Sequence, residues 1–222
     1  MARLAATAAE KSTEPAATEA PSKVAERVAA LRALAEREPD AARDATWLWF
    51  RELGDQSAES ELNELFALGR APSGLDGPTD GILVVPLIQP ALDWALRLLT
   101  AAWMPWMGKR FDAAANRGDN RLTGSARWPA RVLWPLYGPK TASDGLTAFD
   151  FETYVEPGKH DPDTDVLVID YAPVADNPRL LIRSIRDELV EIVPGAYLGK
   201  ILYRSSDGSY TNLGFFALRP PH

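Results

Sequence analysis

Leu146-Thr-Ala-Phe-Asp-Phe-Glu-Thr-Tyr-Val155 is the stretch that decides the fold. Phe149, Phe151, Thr153 and Val155 alternate with Asp150, Glu152 and Tyr154, and a period of two predicts a strand with one buried face. Asp165–Tyr171 (DVLVIDY) is apolar on both faces until Asp170, as a central strand would be. Pro194-Gly195 suits a type II turn and joins Leu189–Val193 to Tyr197–Arg204 as a hairpin. Ser206-Asp207-Gly208 is a second turn signal, leading into a last strand over Thr211–Leu218. Asn177-Pro178 reads differently: an N-cap and first-turn proline, with Leu181, Ile182, Ile185 and Leu189 on one face of a short helix. Strands joined by short turns predict one antiparallel sheet curled around its own core, a β-barrel or strongly curved sheet.

Working toward the N-terminus, the texture becomes helical. Ser22 sits where an N-cap belongs, and Val24, Val28, Leu31 and Ala35 follow at helical spacing until Pro39 breaks the run. A second helix is expected from Asp40, burying Trp47, Leu48, Phe50 and Leu53 and stopping at Gly54. A third is expected from about Ser60, with Leu62, Leu65 and Phe66 on one face and Gly69 past its end. The Gly/Pro-rich run Gly69–Gly81 is the natural boundary. Ile82–Val85 suits a short strand, and Pro90 can open a helix through Trp103. Met1–Pro21 holds too few large apolar side chains to offset ordering entropy. The expected class is therefore α+β: a disordered tail over 1–21, a helical preface over 22–70, and a β domain over 75–220.

Composition narrows the function classes. A net charge of -7 over 222 residues argues against general nucleic-acid binding, which needs a basic face. Lys109 to Arg131 is locally basic, and suits an anionic partner at that place or a solvated, paired face. With no cysteine there is no disulfide, thiolate metal site or thiol nucleophile. The apolar run Ile82–Met107 is broken by Pro86, Pro90 and Pro105 and carries Asp93 and Arg97, so no transmembrane segment is expected. The N-terminal residues lack the order of a secretory signal, which makes the cytoplasm the expected location.

Motifs for chemistry fail on inspection. No Gly-x-Ser-x-Gly occurs, and His160 and His222 are too few for a histidine-based metal site. Asp161, Asp163 and Asp165 open like a calcium loop, but Val166 and Ala172 stand where the glycine and bidentate glutamate belong. Gly195–Lys200 is one residue short of a P-loop and lies in a hairpin. No metal and no cofactor are expected. What remains is a polar set within the β pattern, including Tyr154, Asp170, Asp187, Tyr197 and Lys200, and a tryptophan-rich set including Trp106, Trp128 and Trp134. These are readable either as a cavity lining or as an ordinary solvated face and core.

Trp106-Met-Gly-Lys-Arg-Phe111, Ile185-Arg-Asp-Glu-Leu189, Pro194-Gly195, Tyr197-Leu-Gly-Lys200 and Phe215-Phe-Ala-Leu-Arg219 together resemble uncharacterised bacterial proteins with a lipocalin-like (calycin) barrel. The Gly-Lys-Arg-Phe piece is also similar to a motif in bacterial families named for Gly-x-Trp-x-Gly, a signature this chain lacks. The resemblance covers about residues 75 to 220 and implies a cavity for a small apolar ligand. The resulting expectation is binding of a hydrophobic or amphipathic molecule such as a lipid or isoprenoid. Trp106, Trp128 and Trp134 would wall the cavity, Lys109 or Arg110 would anchor an anionic group, and Tyr154, Asp170, Asp187, Tyr197 and Lys200 would complete the lining. Two alternatives stand beside it: a cofactor-independent isomerase, cyclase or hydrolase using carboxylate acid–base chemistry in the same cavity, and an interaction protein whose helices dock on a partner or a membrane surface.

Overall fold

The computed structural model describes residues 20–87, 106–124, 137–142, 145–179 and 181–221. The tail over 1–19, the expected helix over Pro90–Trp103, Trp128 and Trp134 lie outside them. Three α-helices precede ten strands among the described residues. The helices are α1 (Lys23–Ala35), α2 (Pro39–Asp55) and α3 (Glu59–Ala67). The strands are β1 (Gly77–Pro78), β2 (Asp80–Pro86), β3 (Trp106–Asp112), β4 (Arg117–Leu122), β5 (Lys140–Ala142), β6 (Gly145–Pro157), β7 (Asp165–Asp170), β8 (Ile185–Val193), β9 (Ala196–Arg204) and β10 (Tyr210–Arg219).

All pairings are antiparallel, in the order β1-β3-β4-β6-β7-β8-β9-β10-β2, with β5 added on β6. Nine strands thus form a nearly closed, barrel-like sheet. The stretch Gly77–Pro86 touches both ends of that path: Gly77 pairs with Phe111 of β3, and Gly81 pairs with Leu218 of β10. Thr79 bridges the changeover, its N–H and its hydroxyl both donating to the Lys109 carbonyl at 2.7 and 2.8 Å. Gly108 permits this approach. Its φ is +142°, and a Cβ there would lie 2.0 Å from the Thr79 carbonyl oxygen.

The two faces of the sheet differ in what they bury. Val166, Val168, Val190, Ile192, Leu198, Phe215 and Ala217 share one cluster with the apolar stripes of all three helices. Phe151, Ile169, Tyr171, Leu189, Ile201, Phe216 and Leu218, which alternate with them along the strands, form the second cluster. The face that carries the helices is the outer one, so the second cluster fills the barrel. Phe215 and Ala217 point out, Phe216 and Leu218 in.

Local chemistry explains most element boundaries. Ser22 caps α1, its hydroxyl accepting from Ala25 N–H at 3.0 Å, and Pro39 opens α2 where its missing N–H costs nothing. Gly195, with φ +78°, supplies the positive φ that the third position of a type II turn requires. Two sequence expectations are corrected. In α2, Leu48 is 63% exposed while Trp49 is buried at 2%, because α1 closes over Trp49 and sets the Arg27 guanidinium 4.4 Å from its ring. The short helix expected through Leu189 is one 3-10 turn, Ile182–Ser184, followed at once by β8. Every residue of β8 is buried, on one side by the barrel interior and on the other by the helices at Val190 and Ile192 and by ion pairing at Arg186 and Glu188, so no alternation distinguishes it from a helix. Asn177 caps nothing; its amide ties the loop by donating to the carbonyls of Asp150 at 2.7 Å and Tyr171 at 3.0 Å.

Candidate functional site

The barrel interior holds charge. Lys109, Asp187, Tyr171 and Asn120 all point inward and are all buried, the lysine at 1% exposure and the aspartate at 0%. Strand parity puts them there. Lys109 shares its face with Phe111, Asn120 with Leu122, and Asp187 with Ile185 and Leu189. Lys109 and Asn120 are direct partners across β3 and β4, while Tyr171 ends the inward row of β7 just past its last paired residue.

The amine of Lys109 is fully engaged. It donates to Asn120 Oδ1 at 3.0 Å, Tyr171 OH at 2.6 Å and Asp187 Oδ2 at 2.8 Å. Those are the three donors an ammonium has. Tyr171 passes its own proton toward Asp187 Oδ2 at 2.9 Å, and Asn120 Nδ2 donates to the Phe149 carbonyl at 3.2 Å. Trp106 Nε1 adds a bond to Asn120 Oδ1 at 3.2 Å. One valence is left over: Asp187 Oδ1 is buried with no hydrogen-bond partner among the described residues.

Aromatic rings enclose the cluster. Lys109 Nζ lies 5.3 Å from the centroids of Tyr171 and Phe216, 5.4 Å from Phe151 and 5.8 Å from Trp106. Three of these rings fit because each lies on a glycine of a neighbouring strand. A Cβ on Gly199 would sit 2.2 Å from the Phe216 ring, on Gly118 2.5 Å from Phe151, and on Gly81 2.5 Å from Trp106. Sequence and packing here are one device: a small residue opposite each large one lets a narrow barrel hold four rings around a cation.

Burial displaces the titrations in opposite directions. Loss of water pushes the Lys109 amine below its ordinary value, against the pull of Asp187. The same loss, reinforced by Asp187, pushes the Tyr171 phenol well above its own. Burial in the same interior cluster, with the Glu191 charge adding to it, raises Tyr197 to about 12.

Of the residues singled out in the sequence, Trp106, Lys109 and Asp187 come together. Tyr197 shares the interior cluster without a bond to them. Arg110 faces outward and pairs with Asp119. Tyr154 and Asp170 share the outer face, the phenol donating to Asp170 Oδ2 at 3.3 Å. Lys200 also points outward, beneath α3, with its amine 4.4 Å from the Phe66 ring and 2.6 Å from Asp161 Oδ2. Tyr171, one of the polar residues of the β pattern, joins them, and Asn120 completes the site that sequence reasoning assembled in part. Asn120 was hidden inside what reads as a basic run; its two-residue spacing from Gly118 and Leu122 is the signal that places it inward. Among the described residues no group of three potential ligands suits a metal, and no helix is long and apolar enough to cross a membrane.

Comparison with models of protein families, with curated proteins and with solved structures finds no match.

Proposed function

We propose that the barrel binds a small amphipathic molecule, its polar end read by Lys109, Asp187, Tyr171 and Asn120, its apolar body lying against Trp106, Phe111, Phe151 and Phe216. The observation that carries this reading is the unmet Asp187 Oδ1. A buried polar atom without a partner costs about 1–3 kcal/mol, and Lys109 has no donor left to give it. A ligand hydroxyl or N–H would satisfy it. An alcohol head, as on a long-chain or isoprenoid alcohol, therefore suits the site better than the acid head expected from sequence, whose natural partner Lys109 is already committed. A lipocalin-like, cytoplasmic carrier is the protein this describes. The aromatic rings seated on glycines support it, since they set π-faces and a charge side by side at the barrel's centre.

Acid–base chemistry is the second reading, favoured by one observation. Lys109 and Tyr171 touch at 2.6 Å while their titrations are displaced toward the neutral form of each, which is how a proton donor and acceptor are poised. The helices weigh on neither reading, because their apolar stripes are spent on the sheet.

Native mass spectrometry of the full chain, purified from a lipid-rich bacterial host, tests the proposal. The expected result is an added mass, lost on denaturation, that Asp187→Asn reduces. A clean apo mass, with no uptake from a mixture of long-chain and isoprenoid alcohols, overturns it.

A further inference from the structure

A second polar site lies on the outer face of the sheet, away from the helices and from Lys109. Tyr154, Glu156, Lys159, Asp170, Arg183, Ser184, Arg186, Arg204 and Tyr210 line a pocket of about 180 Å³ there. Four of these residues are cations, brought from four separate places in the chain: the loop after β6, the 3-10 turn, β8 and the end of β9. In a chain of net charge -7 such convergence is not a by-product of composition.

The pocket divides into a neutralised wall and an unneutralised one. Arg186, 5% exposed, is held by Glu156 at 2.8 Å and by Glu188 at 2.9 Å, and Lys159 pairs with Glu156 at 2.9 Å. Glu156 is held below the ordinary carboxylate range, first by its hydrogen bond from Lys159, so this wall stays ionised. Asp170 is occupied by the Ala172 N–H at 2.9 Å and by Tyr154. Opposite them, Arg183 spends only its Nε, on the Ala172 carbonyl at 3.0 Å. Arg204 has no hydrogen-bond or ion-pair partner among the described residues, and neither do the Ser184 and Tyr210 hydroxyls. On the first wall, Arg186 Nη2 lies 2.9 Å from Glu188 Oε1 without making a hydrogen bond to it. On the second wall, donors outnumber acceptors.

We propose that this outer pocket binds a phosphate group. A carboxylate is satisfied by one guanidinium fork, whereas a tetrahedral oxyanion with three peripheral oxygens calls for donors from several directions. Arg183 and Arg204 offer that, with the Ser184 and Tyr210 hydroxyls on the same lining. The volume exceeds an inorganic phosphate and accommodates a phosphomonoester. Free phosphomonoester and lipid headgroup share this chemistry. The site stands independently of the barrel interior: it is on the opposite face of the sheet and shares no residue with the Lys109 cluster.

Calorimetric titration of the full chain with inorganic phosphate and with glycerol 3-phosphate tests it, alongside flotation with vesicles containing phosphatidic acid. Saturable binding is expected, weakened about tenfold in each of Arg183→Gln and Arg204→Gln, since each removes a charge-assisted contact. Arg204 is exposed and Arg183 half-buried, and neither holds an ion pair among the described residues, so circular dichroism should report an unchanged fold. Asp170→Asn, which removes a like charge, should tighten binding. Vesicle flotation blocked by glycerol 3-phosphate assigns the group to a lipid headgroup; binding of the soluble ester without flotation assigns it to a free metabolite. Failure of both phosphates and the vesicles to bind, or binding that neither arginine variant changes, overturns the proposal.

Discussion

Lys109 and Lys200 are the same residue type, each 1% exposed, each beside an aspartate and under aromatic rings, and they are solved in opposite ways. Lys200 lies between the outer face of the sheet and α3, and its amine reaches Asp161, a loop residue whose side chain keeps 13% of its surface. Its long stem packs on Phe66 and Phe215 while its charge meets a partner at the protein's edge. Lys109 has no such exit. Its counter-charge, Asp187, is fully enclosed, and three acceptors replace the water it has lost. Exposure of the counter-charge, more than burial of the lysine, separates a lysine that fastens a loop from one that organises a core.

Removing Lys109 is the severest way to test that contrast. Lys109→Met should destabilise the protein by about 3–5 kcal/mol in chemical denaturation, because it strands Asp187 in the barrel. Combining it with Asp187→Leu should recover most of that loss, since a matched apolar pair replaces two desolvated charges. An equal loss in the double variant would mean that the four-residue network holds the barrel through more than charge pairing. Gly199→Ala comes next. Its Cβ would enter the Phe216 ring, and repacking the barrel around it should cost about 1–3 kcal/mol. Lys200→Met should cost less, about 1–2 kcal/mol, as Asp161 can turn to water once its partner is gone.

The smallest effect is a titration. Burial raises the Tyr137 and Tyr197 phenols to about 12 and holds Tyr171 well above its ordinary value, so ultraviolet titration should find tyrosines that resist ionisation well above pH 10. These groups keep their protons in the folded state where the unfolded chain loses them. Their contribution to stability is complete below about pH 10 and is lost as pH rises toward 12 and beyond. Tyr171→Phe should remove one resistant component and leave the others.

Period-two reading was reliable wherever a strand had one wet face. The strand through Phe149 and Phe151 and the Pro194-Gly195 hairpin were legible for that reason, and so was the antiparallel curled sheet, although Val155, which alternation puts on the buried face, is 55% exposed. It failed over the first half of β8, where Ile185 and Leu189 face the barrel and the buried, ion-paired Arg186 and Glu188 leave no wet face to mark the strand. Helical spacing misjudged one step of α2, since only the presence of α1 decides that Trp49, and not Leu48, is covered. The site was half legible. Trp106 and Lys109 lie close in sequence within an aromatic, basic run, but Asp187 meets Lys109 from 78 residues away, and nothing local says which of Asp170 and Asp187 points inward. That choice is made by register, through Asp187 opposite Ile169 and Ile201.

Gly77–Pro86 joins β3 at one end of the sheet to β10 at the other, pairing Gly81 with Leu218 across nearly the whole β-strand region. Such a seam sets a timetable. Local hairpins such as β8–β9 can assemble early, but ring closure must wait for β10 and then bear the entropy of a very large loop. Until that step, β3 and β10 expose unpaired edges to any neighbouring chain, so the concentration at which this protein refolds should govern its yield more strongly than the temperature does.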